Sequence, residues 1–159
     1  MANCKTEEER QKTEELIRPI LRGRDIKRYG YEWADLWLIN THNGVKGRIP
    51  RIRVEDYPAI KAHLDQFWDK IKDRADQGDT PYNLRNCAYL EEFSKPKIIY
   101  NDIAQTLSFA LSKDGEFLNN TAYFFGSYDI SLLSYLQAIL NSDLIDWYYR
   151  TISVQLVFP

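Results

Sequence analysis

The chain has 159 residues, 44% of them apolar and 14% aromatic, with a formal net charge of −2. That length suits one domain with a single substantial core, and the apolar content excludes a disordered tail. Overall charge gives no sign of a nucleic-acid partner, but its distribution does: residues 16–53 hold nine Lys/Arg against three Asp/Glu (+6), whereas residues 98–159 hold two against six (−4). A local basic zone counts because phosphate contacts dominate DNA affinity. A domain of net −2 would bind duplex poorly alone, so help from a covalently attached partner domain is expected. Cys4 and Cys87 are far apart and read as reduced thiols of a cytosolic protein. No segment has the apolar run of a signal peptide or the ~20 apolar residues that span a bilayer.

In chain order, residues 5–17 are strongly charged, and Thr6 with Glu9 predicts a capping box opening a helix. Leu16 and Ile17 are its large apolar residues, so it is expected to bury little, and residues 1–16 read as a linker or terminal helix from a preceding domain. Trp33 to Ile39 is a nearly continuous apolar run, which predicts a buried strand. Asn43-Gly44 predicts a tight hairpin, and Arg48 to Arg53, with Pro50, a sheet edge or loop. Asp56 is a suitable N-cap with Pro58 in the first helical turn; Tyr57, Ile60, Leu64, Phe67, Trp68 and Ile71 then form one apolar stripe, predicting a helix over 57–75. Lys97 to Tyr100 reads as a short buried strand, and Leu107 to Ser112 as the hairpin partner of Thr121 to Phe125. Asp129 caps a helical region over 130–150, with a kink at Asn141-Ser142, and the apolar end from Thr151 to Pro159 reads as a strand. The fold class expected is α+β: a mixed or antiparallel sheet with hairpins, packed against the 57–75 and 130–150 helices.

The stretch from Ile17 to Tyr29 carries five cationic side chains, interleaved with Ile17, Ile20, Leu21 and Ile26. Pro19 and Gly23 rule out a continuous helix, since proline lacks a backbone donor and glycine weakens the helical state. An ordered loop is expected, apolar residues inward and cations outward. Arginine offers a planar fork for phosphate and guanine edges, so Arg22, Arg24, Lys27 and Arg28 form one candidate DNA-contact cluster, and Lys46, Arg48, Arg51 and Arg53 a second. The alternative for each side chain is a solvated charge. Tyr82, Asn83, Arg85 and Asn86 form a further candidate reader, because Asn can pair bidentately with adenine and Arg with guanine. Tyr29, Tyr31 and Trp33 could stack on bases, with core packing favoured for Trp33. Asp25 reads as a local partner for an arginine. His42 is expected in a solvated turn, and neither it nor His63 has a metal-ligand neighbour. There is no phosphate-binding glycine loop and no nucleophile with a recognisable base, so no catalytic or metal-ligating residue is assigned.

Arg18-Pro19-Ile20-Leu21-Arg22-Gly23-Arg24-Asp25-Ile26-Lys27-Arg28-Tyr29 resembles the opening motif of the TaqI-like C-terminal specificity domain. That is the target-recognition domain of adenine-N6 DNA methyltransferases and of fused type IIG restriction-modification enzymes. Tyr57 to Ile60, Lys95 to Tyr100, Asn119 to Phe124 and Leu136 to Trp147 resemble further blocks in the same order, so the resemblance runs from about Ile17 to Leu156. It implies that residues 17–159 form a target-recognition domain that clamps double-stranded DNA. A covalently linked catalytic domain would take up the flipped adenine and use S-adenosylmethionine. The glycine motif for that cofactor and the Asn-Pro-Pro-Tyr motif for the adenine are both missing here, so neither cofactor binding nor methyl transfer is expected of this chain. Two other readings stand beside this one. The first is a protein-binding scaffold whose arginines meet an acidic surface; the second is a small Mg²⁺-dependent nuclease built on Glu91, Glu92, Lys95 and Lys97.

Overall fold

The computed structural model describes residues 4–102 and 106–152. In chain order its regular elements are α1 (Glu7–Leu16), β1 (Ile17–Leu21), β2 (Ile26–Lys27), β3 (Gly30–Tyr31), β4 (Trp37–Ile39), α2 (Pro58–Asp65), α3 (Trp68–Ile71), β5 (Lys97–Asn101), β6 (Phe109–Ser112), β7 (Phe117–Leu118), β8 (Ala122–Gly126), α4 (Ile130–Leu140) and α5 (Asp143–Ile152). The α+β expectation holds. By packing, the chain forms two units: one takes residues up to Arg18 and from Trp37 to Leu90, the other Pro19 to Leu36 and Glu91 onward.

In the first unit α1 begins where the Thr6 hydroxyl accepts from the Glu9 amide at 3.1 Å. The capping box closes one residue early, because the Glu9 carboxylate accepts from the Lys5 amide (2.7 Å) rather than from Thr6. Its second oxygen accepts from the Ala59 amide at 3.0 Å, satisfying an otherwise orphaned donor at the start of α2. Leu16, Val54 and Ile60 form the core, with Ile39, Ile52, Tyr57 and Leu64 packed around it. The predicted 57–75 helix is broken. Asp56 belongs to a 3₁₀ turn (Val54–Asp56), Tyr57 is the N-cap, and Pro58 is in the first turn as expected. The helix stops at Asp65 because Phe67 leaves helical geometry (φ −110°, ψ 16°). The break turns Trp68 onto the Tyr82 ring, 5.3 Å between centroids.

The second unit is built on β5. Its Ile98 and Ile99 point to opposite faces, as strand geometry requires, and both are fully buried. Ile98 packs with Phe109 and with Leu133 of α4, while Ile99 packs with Leu21, Ile26, Ala110 and Ala122. β6 and β8 both pair antiparallel with β5, one on each edge. This corrects the expected hairpin of 107–112 with 121–125: the strands exist, but the segment buried on both faces lies between them. Residues 117–118 instead run parallel to β1, with Ile20 opposite Phe117. Asp129 caps α4 by accepting from the Leu132 amide at 2.9 Å, and the break at Asn141 separates α4 from α5.

Two further expectations are corrected. The Trp33–Ile39 run is not a buried strand: only Trp37–Ile39 is extended, and Trp33, Leu36 and Trp37 are 40%, 38% and 54% exposed. Asp35 adopts a left-handed φ of 54°, which interrupts the extended backbone. The hairpin foreseen at Asn43-Gly44 closes instead around residues 46–48, with Val45 bridging Ile49 and left-handed glycines at Gly44 and Gly47. The predicted strand at the C-terminal end falls largely outside the described residues. No helix among those described is long and apolar enough to cross a membrane, and both cysteines are free.

Candidate nucleic-acid interface

In the second unit, two of the blocks quoted for the resemblance meet at Gly23, the Arg-Gly-Arg-Asp turn and the Asn119–Thr121 segment. After β1, the segment Gly23–Asp25 makes one 3₁₀ turn. Arg22 donates from Nε to Asp25 Oδ2 (3.0 Å) and from Nη2 to Oδ1 (2.7 Å), a two-pronged pair on a carboxylate only 5% exposed. The Arg22 side chain therefore holds Asp25 below the ordinary carboxylate range, against the opposing effect of burial. The Gly23 amide donates to Thr121 Oγ1 at 2.8 Å, and a Cβ on Gly23 would come within 2.3 Å of the Thr121 carbonyl oxygen. Asn119 donates its amide to the Leu21 carbonyl at 3.0 Å. The Asn119–Thr121 block thus fits the Arg-Gly-Arg-Asp turn in a way only glycine permits.

This assembly sorts the first cluster. Arg22 is committed to Asp25. Arg28 donates from Nη2 to the Asn141 carbonyl and to Asp143 Oδ1 (3.0 Å), tying the β2–β3 turn to the α4–α5 break. Arg24 is exposed and its side chain makes no hydrogen bond among the described residues, and Lys27 is exposed with a single bond to the Arg24 carbonyl (2.9 Å). Arg24 and Lys27 are therefore the uncommitted exposed cations here, whereas Arg22 is tied to a buried carboxylate and Arg28, itself exposed, is held by Asn141 and Asp143. Tyr31 is also committed: its hydroxyl donates to the buried Glu116, which in turn accepts from Ser112. Tyr29 is 55% exposed at a left-handed φ of 69°, with the Arg28 guanidinium 5.6 Å from its ring centroid.

In the first unit, Lys46, Arg48 and Arg51 line an open groove of about 790 Å³ together with Asn43, Asp79 and Asn86. Arg51 Nη1 meets Asp79 Oδ2 at 3.2 Å, and Arg48 Nη2 donates to the Ala88 carbonyl at 3.3 Å. Arg53 is exposed but outside the groove lining. The 82–86 reader is split by the structure. Asn83 is 2% exposed; its Nδ2 donates to the Ile52 carbonyl (2.9 Å) and the Thr41 carbonyl (3.3 Å), and its Oδ1 accepts from Thr80 Oγ1 (2.6 Å). With both ends of its amide spent inside, Asn83 has nothing to offer a base, and the expectation that it reads DNA is corrected. Tyr82 donates its hydroxyl to Asp65 Oδ1 at 2.6 Å. Arg85 remains exposed, 3.6 Å from Asp76.

Asn43 and Asp79 are groove residues that sequence reasoning missed. Asn43 read as half of a turn and Asp79 as part of a helix-ending loop, and nothing local signals that they meet across 36 positions. His42 was expected to be solvated; it is half-buried, its Nδ1 accepts from the Gly44 amide (3.1 Å), and burial lowers its pKa. Of the residues of the nuclease alternative, Lys95 pairs with Glu92 (2.5 Å), whereas Lys97 is buried apart from them with Nζ on the Phe93 carbonyl (2.8 Å).

Residues 18–158 match the family described as the TaqI-like C-terminal specificity domain. Comparison with curated proteins finds no match. The matched span includes both candidate basic clusters and all five quoted blocks, and on this coverage the chain belongs to the TaqI-like C-terminal specificity domain family, whose role is DNA recognition in restriction-modification methyltransferases.

Proposed function

We propose that residues 17–159 are the target-recognition domain of a type II adenine-N6 DNA methyltransferase acting in the cytoplasm, and that residues 1–16 join it to a catalytic domain. The chain itself would supply the duplex grip and the choice of site, while S-adenosylmethionine and the flipped adenine would belong to the linked domain. The observation that carries the reading is the basic groove of Lys46, Arg48 and Arg51 in a chain of this family. Phosphate contacts set register and affinity, and exposed cations such as Arg24, Lys27 and Lys46 can make them without breaking an internal tie. Arg53 and Arg85 are exposed cations beyond the groove lining that can add phosphate contacts. Exposed ion pairs such as Arg85–Asp76 contribute little to folding, so exchanging one for a DNA contact costs little stability.

The test is methyl transfer by the full-length gene product from labelled S-adenosylmethionine to duplex DNA, followed by digestion to nucleosides. Label in N6-methyladenine at one sequence context supports the reading; label in cytosine, or none, contradicts it. A protein-scaffold reading draws on a different feature, the exposed Leu144, Trp147, Tyr148 and Ile152 of α5. Under that reading a protein partner would stay bound in excess duplex, whereas a duplex-binding surface would be competed.

A further inference from the structure

We infer that the groove of the first unit reads a guanine through Arg51, and that Asp79 is the residue that aims it. This rests on the target-recognition reading and names a base for it.

A groove that only gripped phosphates would have no use for a carboxylate, yet Asp79 lines this one. Asp79 is tied on three sides: its amide donates to Asn43 Oδ1 (2.9 Å), its Oδ1 accepts from Asn43 Nδ2 (2.9 Å), and its Oδ2 accepts from Arg51 Nη1 (3.2 Å). Asn43 is itself fixed, since its Nδ2 also donates to Asn86 Oδ1 at 2.6 Å. The backbone beneath is specified as well. Gly78 has Leu84 O and Asn43 Oδ1 each 2.6 Å from where a Cβ would sit, so the close approach of these loops requires glycine there.

The side-chain nitrogens that this network leaves unengaged are donors. With Asp79 on Nη1, the Nε–Nη2 edge of Arg51 has no partner among the described residues. Asn86 has its oxygen engaged by Asn43 and its Nδ2 unengaged among the same residues. Unengaged donors of this kind favour an edge made of acceptors. In the major groove that edge is guanine, with O6 and N7 spaced for the arginine fork, while adenine and cytosine each present a donor that would face another donor. The carboxylate both orients the guanidinium and lowers the groove's attraction for phosphate, favouring base reading over simple adhesion.

The experiment is selection from a random duplex pool by the full-length gene product, with thermal unfolding to confirm that each variant is folded. The wild type should enrich guanine at a fixed position. Arg51→Gln should lose that enrichment by roughly 5- to 150-fold, the discrimination of one bidentate pair, with other positions unchanged. Asp79→Asn should bind the unselected pool as well as the wild type or better, because an anion is gone, yet discriminate less at the same position. A residue with only a structural role would not split affinity from discrimination in this way. If Arg51→Gln keeps the guanine, or the wild type binds duplex without enriching guanine, this inference fails while the target-recognition reading stands. If the wild type binds no duplex at all, both fail.

Discussion

Asn83→Ala separates a structural amide from a base-reading one. The side chain is 2% exposed and bridges three parts of the first unit, with donors on the Ile52 and Thr41 carbonyls and an acceptor for Thr80 Oγ1. Each such bond contributes about 1 kcal/mol net, and removing one partner leaves the other desolvated and unpaired. Removing all three bonds, with a small cavity left behind, comes to about 2–4 kcal/mol. At a urea slope of about 1–3 kcal/mol per molar, the midpoint should fall by about 1–2 M with the slope unchanged. The assay is equilibrium urea unfolding followed by far-UV circular dichroism, beside duplex binding measured well below the transition. A loss under about 1 kcal/mol, combined with weakened duplex binding by a folded variant, would refute this and return Asn83 to the recognition surface.

Gly23→Ala should destabilise the second unit by about 1–3 kcal/mol, because its methyl would sit 2.3 Å from the backbone oxygen of Thr121 and a strand end must shift; thermal unfolding reads this. Tyr29→Gly should leave the midpoint unchanged or raise it, since the left-handed conformation at φ 69° costs a side-chain-bearing residue about 1–2 kcal/mol, while Tyr29→Val should lower it. Asp25, depressed first by its hydrogen bonds from Arg22, adds stability that is complete above the ordinary Asp range near about pH 4 and is lost as pH falls through the folded value. Asp25→Asn should therefore flatten the acid limb of a stability-against-pH profile; identical limbs in the two proteins would remove Asp25 from the account.

Much of the scaffold was legible because its signals are local. Thr6 and Asp129 begin their helices as N-caps do, Pro58 lies in a first turn, and Lys97 to Tyr100 reads as the buried strand it is. Pairing was not legible: 107–112 and 121–125 look like hairpin partners until β5 takes the place between them, a matter of which segment must be covered on both sides. The candidate site divides in the same way. The Arg22–Asp25 pair spans three residues and was foreseeable, whereas Arg28 finds its partners at Asn141 and Asp143, 113 and 115 positions away. Arg24 and Arg28 are the same residue type in the same motif, and only tertiary structure shows which one is held by a distant segment. Asn83 looked like a reader because an amide between a tyrosine and an arginine is chemically fit for one; burial decides otherwise.

The measurement closest to the central claim is the salt dependence of duplex affinity for the full-length gene product, wild type against the Arg24→Gln, Lys27→Gln and Lys46→Gln triple variant. If these cations meet phosphates, log K against log salt should flatten by about 0.9 for each phosphate left without its cation, close to three units in all, while Arg22→Gln acts on stability instead. Equal slopes and affinities in the wild type and a folded triple variant would contradict the account.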